Sequence, residues 1–231
     1  YVALSGIAGH SGRQHSGPPP MGIQIADIAG GSLHSVIGIL AAVIERQRSG
    51  LGQYIDISMT DCVVGLSSMA AAASLAGQEK QGPEQSHLNG ATFYDYYETQ
   101  DGRYLSIGSL EPQFLHGLAQ ILELPIVAEK GASLATEDRQ VVKQAIKDKI
   151  KTQDFATWNA IFQQQDVCVE PVLKLDEALD SQLAKDRAWV VSVPLQEGST
   201  KSEQQLACPI KFSRSKIRYE FIGKPLGCDS L

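Results

Sequence analysis

Residues 25–50 read IADIAGGSLHSVIGILAAVIERQRSG, and their spacing decides how the first third of the chain folds. Leu33, Val36, Ile37, Leu40, Val43 and Ile44 recur at steps of three and four, the period of an α-helix. Gly38 and the alanines leave almost no polar face before Glu45, so the helix is expected to be buried on most sides. Arg46 and Arg48 complement the negative end of its dipole, and Gly50 is a natural C-terminal stop. Immediately after it, Gln53–Ser58 alternates like a strand, with Ile55 and Ile57 on one face.

Upstream, residues 9–22 carry glycines and the run Pro18-Pro19-Pro20 without hydrophobic period, and read as a loop. Downstream, a second helix rich in Ala, Ser and Gly is expected over about 60–76, and the polar residues 77–90 read as a linker. Residues 92–110 read as a hairpin, with Asp101-Gly102 supplying a two-residue turn. Pro112 is placed to open a helix. Helical patterns follow at 137–151 and 154–165, then a strand at Val167–Leu173 and a helix over 176–188. The tail contains strand-like WVVSV (189–193) and CPIKF (208–212).

At 231 residues the chain is long enough for one large or two small cored domains. Its formal charge of −6 argues against nucleic acid as a partner, which calls for a basic stripe. The apolar runs are interrupted by Gly, Ser or charge, so no membrane span is expected. Cys62, Cys168, Cys208 and Cys228 are widely spaced without a CxxC, so neither a metal site nor a disulfide framework is expected, and a reducing, cytoplasmic setting fits. The start, Tyr1-Val-Ala-Leu-Ser-Gly, has no initiator Met and no signal peptide and reads as the middle of an ordered element, so the chain is expected to be the C-terminal part of a larger enzyme.

Asp27 is the chemically suggestive residue. It stands before Ile-Ala-Gly-Gly-Ser, where an Asp routinely caps a helix. The same residue, with Gly30 and Gly31 admitting a ligand close to the backbone, is also suited to act as a base or a nucleophile beside amide donors. Residue types alone leave both readings open. Glu111 before Pro112 is equally readable as a helix-entry acid. His34 reads as a hydrogen-bonded interior residue, His10 and His15 as solvated loop residues, and Cys62 and Cys168 as small core residues. Phe93, Tyr94, Tyr96 and Tyr97 read as strand packing rather than a stacking platform.

Residues 26–61, ADIAGGSLHSVIGILAAVIERQRSGLGQYIDISMTD, resemble the signature stretch of the family III CoA-transferases, the CaiB/BaiF family. Residues 89–114, 166–179, 208–213 and 223–230 continue the resemblance over nearly the whole chain. The resemblance implies an α/β fold: a partial Rossmann-like large domain (1–80, joined again by 188–231) with a smaller α+β domain and its linker (81–187), in an interlocked homodimer. It implies that Asp27 is catalytic. In the family's CoA-transferases this Asp forms an acyl-aspartyl anhydride; in its α-methylacyl-CoA racemases it exchanges the α-proton opposite a His. Gly-Gly-Ser after Asp27 and Glu111-Pro-Gln-Phe resemble the racemase pattern, which makes Glu111 the support of that His. The His belongs to a Gly-His-Asp-x-Asn-Tyr motif whose Tyr matches Tyr1, so it is expected just before residue 1. Tyr1, Gly30 and Gly31 are the implied contacts to coenzyme A, which enters as part of an acyl-CoA substrate. No other cofactor and no metal are implied. Three readings remain: a racemase of 2-methylacyl-CoA thioesters, an acyl-CoA:carboxylate CoA-transferase, or a non-catalytic remnant of either.

Overall fold

The computed structural model describes residues 1–77, 82–224 and 226–228. The protein is mixed α/β and divides into two compact units, Tyr1–Pro171 and Val172–Leu231.

The first unit begins with a short helix, α1 (Ile7–His10), and a loop that runs through the three prolines. A long continuous helix follows. Its first part, Ile25–Leu33, is π-helical, and it passes directly into α2 (His34–Ser49), which stops at Gly50 in the left-handed conformation (φ 75°). α2 has no buried residue, and Ile37 is 62% exposed. The expectation of burial on most sides is therefore corrected: the apolar periodicity is present, but the elements that would cover it are not among the described residues. The interruptions that argued against a membrane span also fail to break the element. Ile25–Ser49 is long and apolar enough to cross a membrane by length and composition, with a mean hydropathy of 1.7 over an 18-residue window.

Residues 53–58 belong to no helix and pair with no strand among the described residues. Instead they run along α2, where a Cβ on Gly38 would meet Ile55 at 3.2 Å and Ile57 at 3.4 Å. The expected helix over 60–76 is two helices, α3 (Met59–Leu66) and α4 (Ser68–Leu75), broken at Ser67. Ser58 caps α3 by accepting from the Asp61 amide at 3.3 Å. Of the expected linker 77–90, residues 78–81 lie outside the described residues.

The hydrophobic core lies in residues 93–169. β1 (Asp95–Glu98) pairs antiparallel with β2 (Tyr104–Ile107), which pairs antiparallel with β3 (Val169–Pro171). Strand alternation buries Tyr97, Leu105 and Ile107 and leaves Tyr96 and Tyr104 exposed. The hairpin loop has three residues, not two. Thr99 N–H bonds the Arg103 carbonyl, Gly102 N–H bonds the Thr99 carbonyl, and only Gly102 takes positive φ (80°). Asp101 is used instead as an acceptor, taking Thr99 Oγ1 at 2.6 Å and the Phe155 amide at 3.0 Å.

Helices cover the sheet. α5 (Pro112–Leu122) opens on Pro112 and buries Leu115, Leu118, Ala119 and Leu122. A short α6 (Pro125–Lys130) that periodicity did not reveal contributes Val127. α7 (Thr136–Ile150) buries Val142, Ile146 and Ile150 at four-residue steps. α8 (Phe155–Phe162) is capped by Asp154, and its Trp158 indole donates to the Ile150 carbonyl at 2.7 Å. In the second unit, the helix expected over 176–188 is α9 (Leu175–Asp180) and α10 (Gln182–Asp186), broken at Ser181. Next, β4 (Val190–Pro194) and β5 (Ser202–Leu206) form an antiparallel ribbon. Residues 208–212 are not a strand; the Cys208 amide donates instead to the Tyr219 hydroxyl at 2.8 Å.

Ile146 is fully buried between helices and sheet. Ile146→Ala should cost roughly 2–5 kcal/mol of stability, read as a lower urea midpoint at unchanged slope.

Candidate active site

Asp27 is exposed in the first turn of the π-helical segment. The N-cap is Gln24 and makes no side-chain cap, so the capping reading of Asp27 does not hold. The carboxylate stands at the third helical position, at the positive end of a helix that continues to Ser49, where negative charge is favoured. Its carbonyl accepts the Ser32 hydroxyl at 3.1 Å.

Gly30 and Gly31 sit past the first turn, beyond the amides that a helix start leaves free. Gly30 is buried: a Cβ there would lie 3.0 Å from the Met59 carbonyl oxygen and 3.1 Å from Val63. A Cβ on Gly31 would meet Met59 Cγ at 3.3 Å. Both glycines thus have a packing role, holding the Asp27 turn against α3. Tyr1 is 64% exposed, and its carbonyl accepts the amides of Leu4 and Ser5.

Glu111 occupies the N-cap position of α5 with extended backbone, is exposed, and makes no side-chain cap. Among the described residues no hydrogen bond or ion pair joins it to Asp27. Its charge is felt at Cys168, which is exposed and not the core residue expected; partial desolvation first, then Glu111, Asp166 and Glu170, push its thiol up. His34 is hydrogen-bonded, as expected, with Nδ1 2.6 Å from the Ala29 carbonyl oxygen. Among the described residues no three His, Cys, Asp or Glu side chains are grouped to hold a metal.

An ion cluster that no local sequence pattern indicates is assembled from residues far apart in the chain. Arg13, in the loop before the prolines, donates to both oxygens of Asp95 at 2.5 and 2.6 Å and to Glu84 at 2.9 Å. Lys143 lies 2.7 Å from Asp95 and donates to the Gly90 carbonyl at 2.6 Å. Burial alone would raise the Asp95 carboxyl, but hydrogen bonds from Arg13, Lys143 and the Tyr96 amide outweigh it and hold it below its ordinary value. Glu84 is held low in the same way, burial being outweighed by the Gln14 amide and Arg13. Arg13 and Asp95 of the cluster line a cleft of about 590 Å³, together with His10, Asn89, Tyr94, Tyr96 and Ser106. His10, expected to be solvated, is half-buried there, and its Nδ1 has no partner.

With the geometry in place, comparison with known proteins is informative. The sequence model of CoA-transferase family III matches residues 1–229. α-Methylacyl-CoA racemase of Mus musculus is 38% identical over 194 residues, which are 83% of this chain and 50% of that protein. Succinyl-CoA:mesaconate CoA-transferase of Haloarcula hispanica is 28% identical over 218 residues, 92% of this chain and 53% of that protein. A CAIB/BAIF family protein from Brucella suis has a crystal structure that matches with a TM-score of 0.72 at 23% identity, over 95% of this chain and 57% of that one. The chain spans about half the length of the curated relatives it matches.

The ion cluster makes a prediction about acid. Because the folded-state value of Asp95 is depressed, its stabilising contribution is complete above the ordinary value of 3.8 and disappears as pH falls through the lower folded value. Asp95→Asn should therefore destabilise the protein by roughly 1–3 kcal/mol at pH 7, leaving Arg13 and Lys143 with Glu84 as their one remaining carboxylate in the cluster. The gap between variant and wild type, measured by urea unfolding, should narrow steadily as pH is lowered below 3.8.

Proposed function

The chain belongs to CoA-transferase family III, and from that premise we propose that it racemises or epimerises 2-methylacyl-CoA thioesters. The observation that carries this reading is the higher identity to an α-methylacyl-CoA racemase than to a CoA-transferase. The exposed carboxylate of Asp27 at the positive end of a long helix supports it.

In this reaction Asp27 removes the α-proton of the acyl group. The thioester carbonyl takes up the electron pair, and the resulting planar enolate is reprotonated from the opposite face. The helix end that carries Asp27 stabilises negative charge and so favours both the carboxylate and an enolate beside it. A second base is needed across the substrate. The family pattern supplies a His from the motif ending at the position of Tyr1, with Glu111 as its support. Tyr1 and Gly31 are the contacts to coenzyme A, which belongs to the substrate, whereas Gly30, buried against α3, supports the turn from behind. The full assembly is a homodimer with a Rossmann-like large domain (1–80 and 188–231) and a small domain (81–187), located in the cytoplasm. The apolar surface of Ile25–Ser49 is covered by protein, with neither membrane nor nucleic acid as a partner.

The matches to CoA-transferases favour a second reading. There the Asp27 carboxylate attacks the thioester carbonyl and expels the coenzyme A thiolate, which attacks the Asp27 carbonyl of the mixed anhydride and releases the donor carboxylate. A second carboxylate then displaces the thiolate from Asp27, and the thiolate attacks that acid's carbonyl to give the new thioester and free Asp27.

The test is α-proton exchange by the complete gene product. Incubated with a 2-methylacyl-CoA in D2O and no acceptor acid, the wild type should incorporate deuterium at the α-carbon, followed by NMR. Asp27→Asn should slow this by roughly 10²–10⁴-fold. Absence of exchange in the wild type, with CoA transfer once a carboxylic acid is added, would move the assignment to the transferase.

A further inference from the structure

The turn that carries Asp27 is held in an unusual register by two side chains. Ile25–Leu33 is wound as a π-helix, with hydrogen bonds spanning five residues, a geometry that occurs mostly as single-turn bulges and frequently at functional sites. Ser32 Oγ donates to the carbonyl of Asp27, and His34 Nδ1 lies 2.6 Å from the carbonyl of Ala29. Each bond reaches back five residues. In an α-helix, side-chain back-bonds reach three or four residues, so both contacts require the wide turn. A carbonyl only accepts, so Nδ1 is the protonated nitrogen of His34, and Nε2 is the acceptor in the neutral ring. The backbone amide of His34 bonds the Gly31 carbonyl, which places this residue at the junction where the wide turn passes into α2.

Rewinding one residue of this segment into α register would rotate Asp27 by about 100° around the helix axis relative to α2. The segment is also seated on α3 through Gly30 and Gly31, where added side-chain atoms would collide with Met59 and Val63. The bonds from Ser32 and His34 add to this packing contact in fixing the turn.

We propose that His34, assisted by Ser32, is a positioning residue that holds the π-helical register and so aims the Asp27 carboxylate. The inference rests on the reading of Asp27 as the reacting base. His34 acts through the backbone of the Ala29 turn and is assigned no contact with substrate.

The experiment compares four forms of the complete gene product in the exchange assay: wild type, Asp27→Asn, His34→Phe and His34→Asn. Phe keeps a ring without a donor, whereas the Asn amide nitrogen sits at the same branch position as His Nδ1 and retains an N–H. His34→Phe should lower kcat by about tenfold or more, on the scale by which small misplacements of a reacting group act, with KM within about twofold of wild type. His34→Asn should recover most of that loss. Wild-type kcat in His34→Phe, with Asp27→Asn inactive, would overturn the positioning role and leave the base intact. Equal losses in His34→Phe and His34→Asn would also overturn it, because the donor would then be irrelevant. Full exchange by Asp27→Asn would remove the reading underneath and the inference with it.

Discussion

The close approach of the Asp27 turn to α3 is the constraint on which the candidate site depends. Gly30 lies where a Cβ would stand 3.0 Å from the Met59 carbonyl oxygen, so a side chain there fits only if α3 gives way by a few tenths of an ångström. With Gly30 buried on one side and Ser32 and His34 bonded back to carbonyls five residues earlier, the turn has little freedom to rewind. The carboxylate of Asp27 is left outside this packing, exposed at the positive end of the helix. A group that must meet a substrate is thus carried by backbone fixed from behind, which is how a reactive side chain is kept in place without being buried itself.

The first unit is uneven in its packing. Residues 93–169 enclose Trp158, Phe93, Leu105, Ile107, Leu118 and Ile146 in one core of sheet and helices. By contrast, α2 buries nothing, and residues 53–58, unpaired among the described residues, meet it through Ile55 and Ile57 at Gly38. Arg13 ties the two regions electrostatically: it sits in the loop before the helix and is bound to Asp95 at the start of the hairpin. Asp95 is only 7% exposed at its side chain, so this pair is far less screened than an ordinary surface ion pair.

Much of this was legible from local pattern. The three- and four-residue steps of Leu115, Leu118, Leu122 and of Val142, Ile146, Ile150 locate their helices, because burial selects one face. Pro112 marks the start of α5 because its missing N–H is harmless there. What failed was non-local or side-chain specific. Alternation at 53–58 gives a strand only if a partner exists, and none is among the described residues. The Asp101-Gly102 pair indicates a turn but not its length, since Asp101 is recruited by Thr99 and Phe155. Asp27 has the sequence setting of a cap, but the helix begins at Ile25, three positions earlier than a cap at Asp27 implies, because a π-helical turn precedes the α-helical period. The ion cluster joins residues 71 and 82 positions apart, a distance over which no local signal operates.

The chemical choice at Asp27 is between taking a proton and forming a bond. As a base it returns unchanged after each turnover; as a nucleophile it passes through an acyl anhydride. Treating the complete gene product with hydroxylamine during turnover of a 2-methylacyl-CoA, followed by peptide mass spectrometry, separates the two directly. The account predicts that Asp27 remains an unmodified aspartate while α-deuterium exchange proceeds. An aspartyl hydroxamate at Asp27 would contradict it and assign the carboxylate the role of nucleophile.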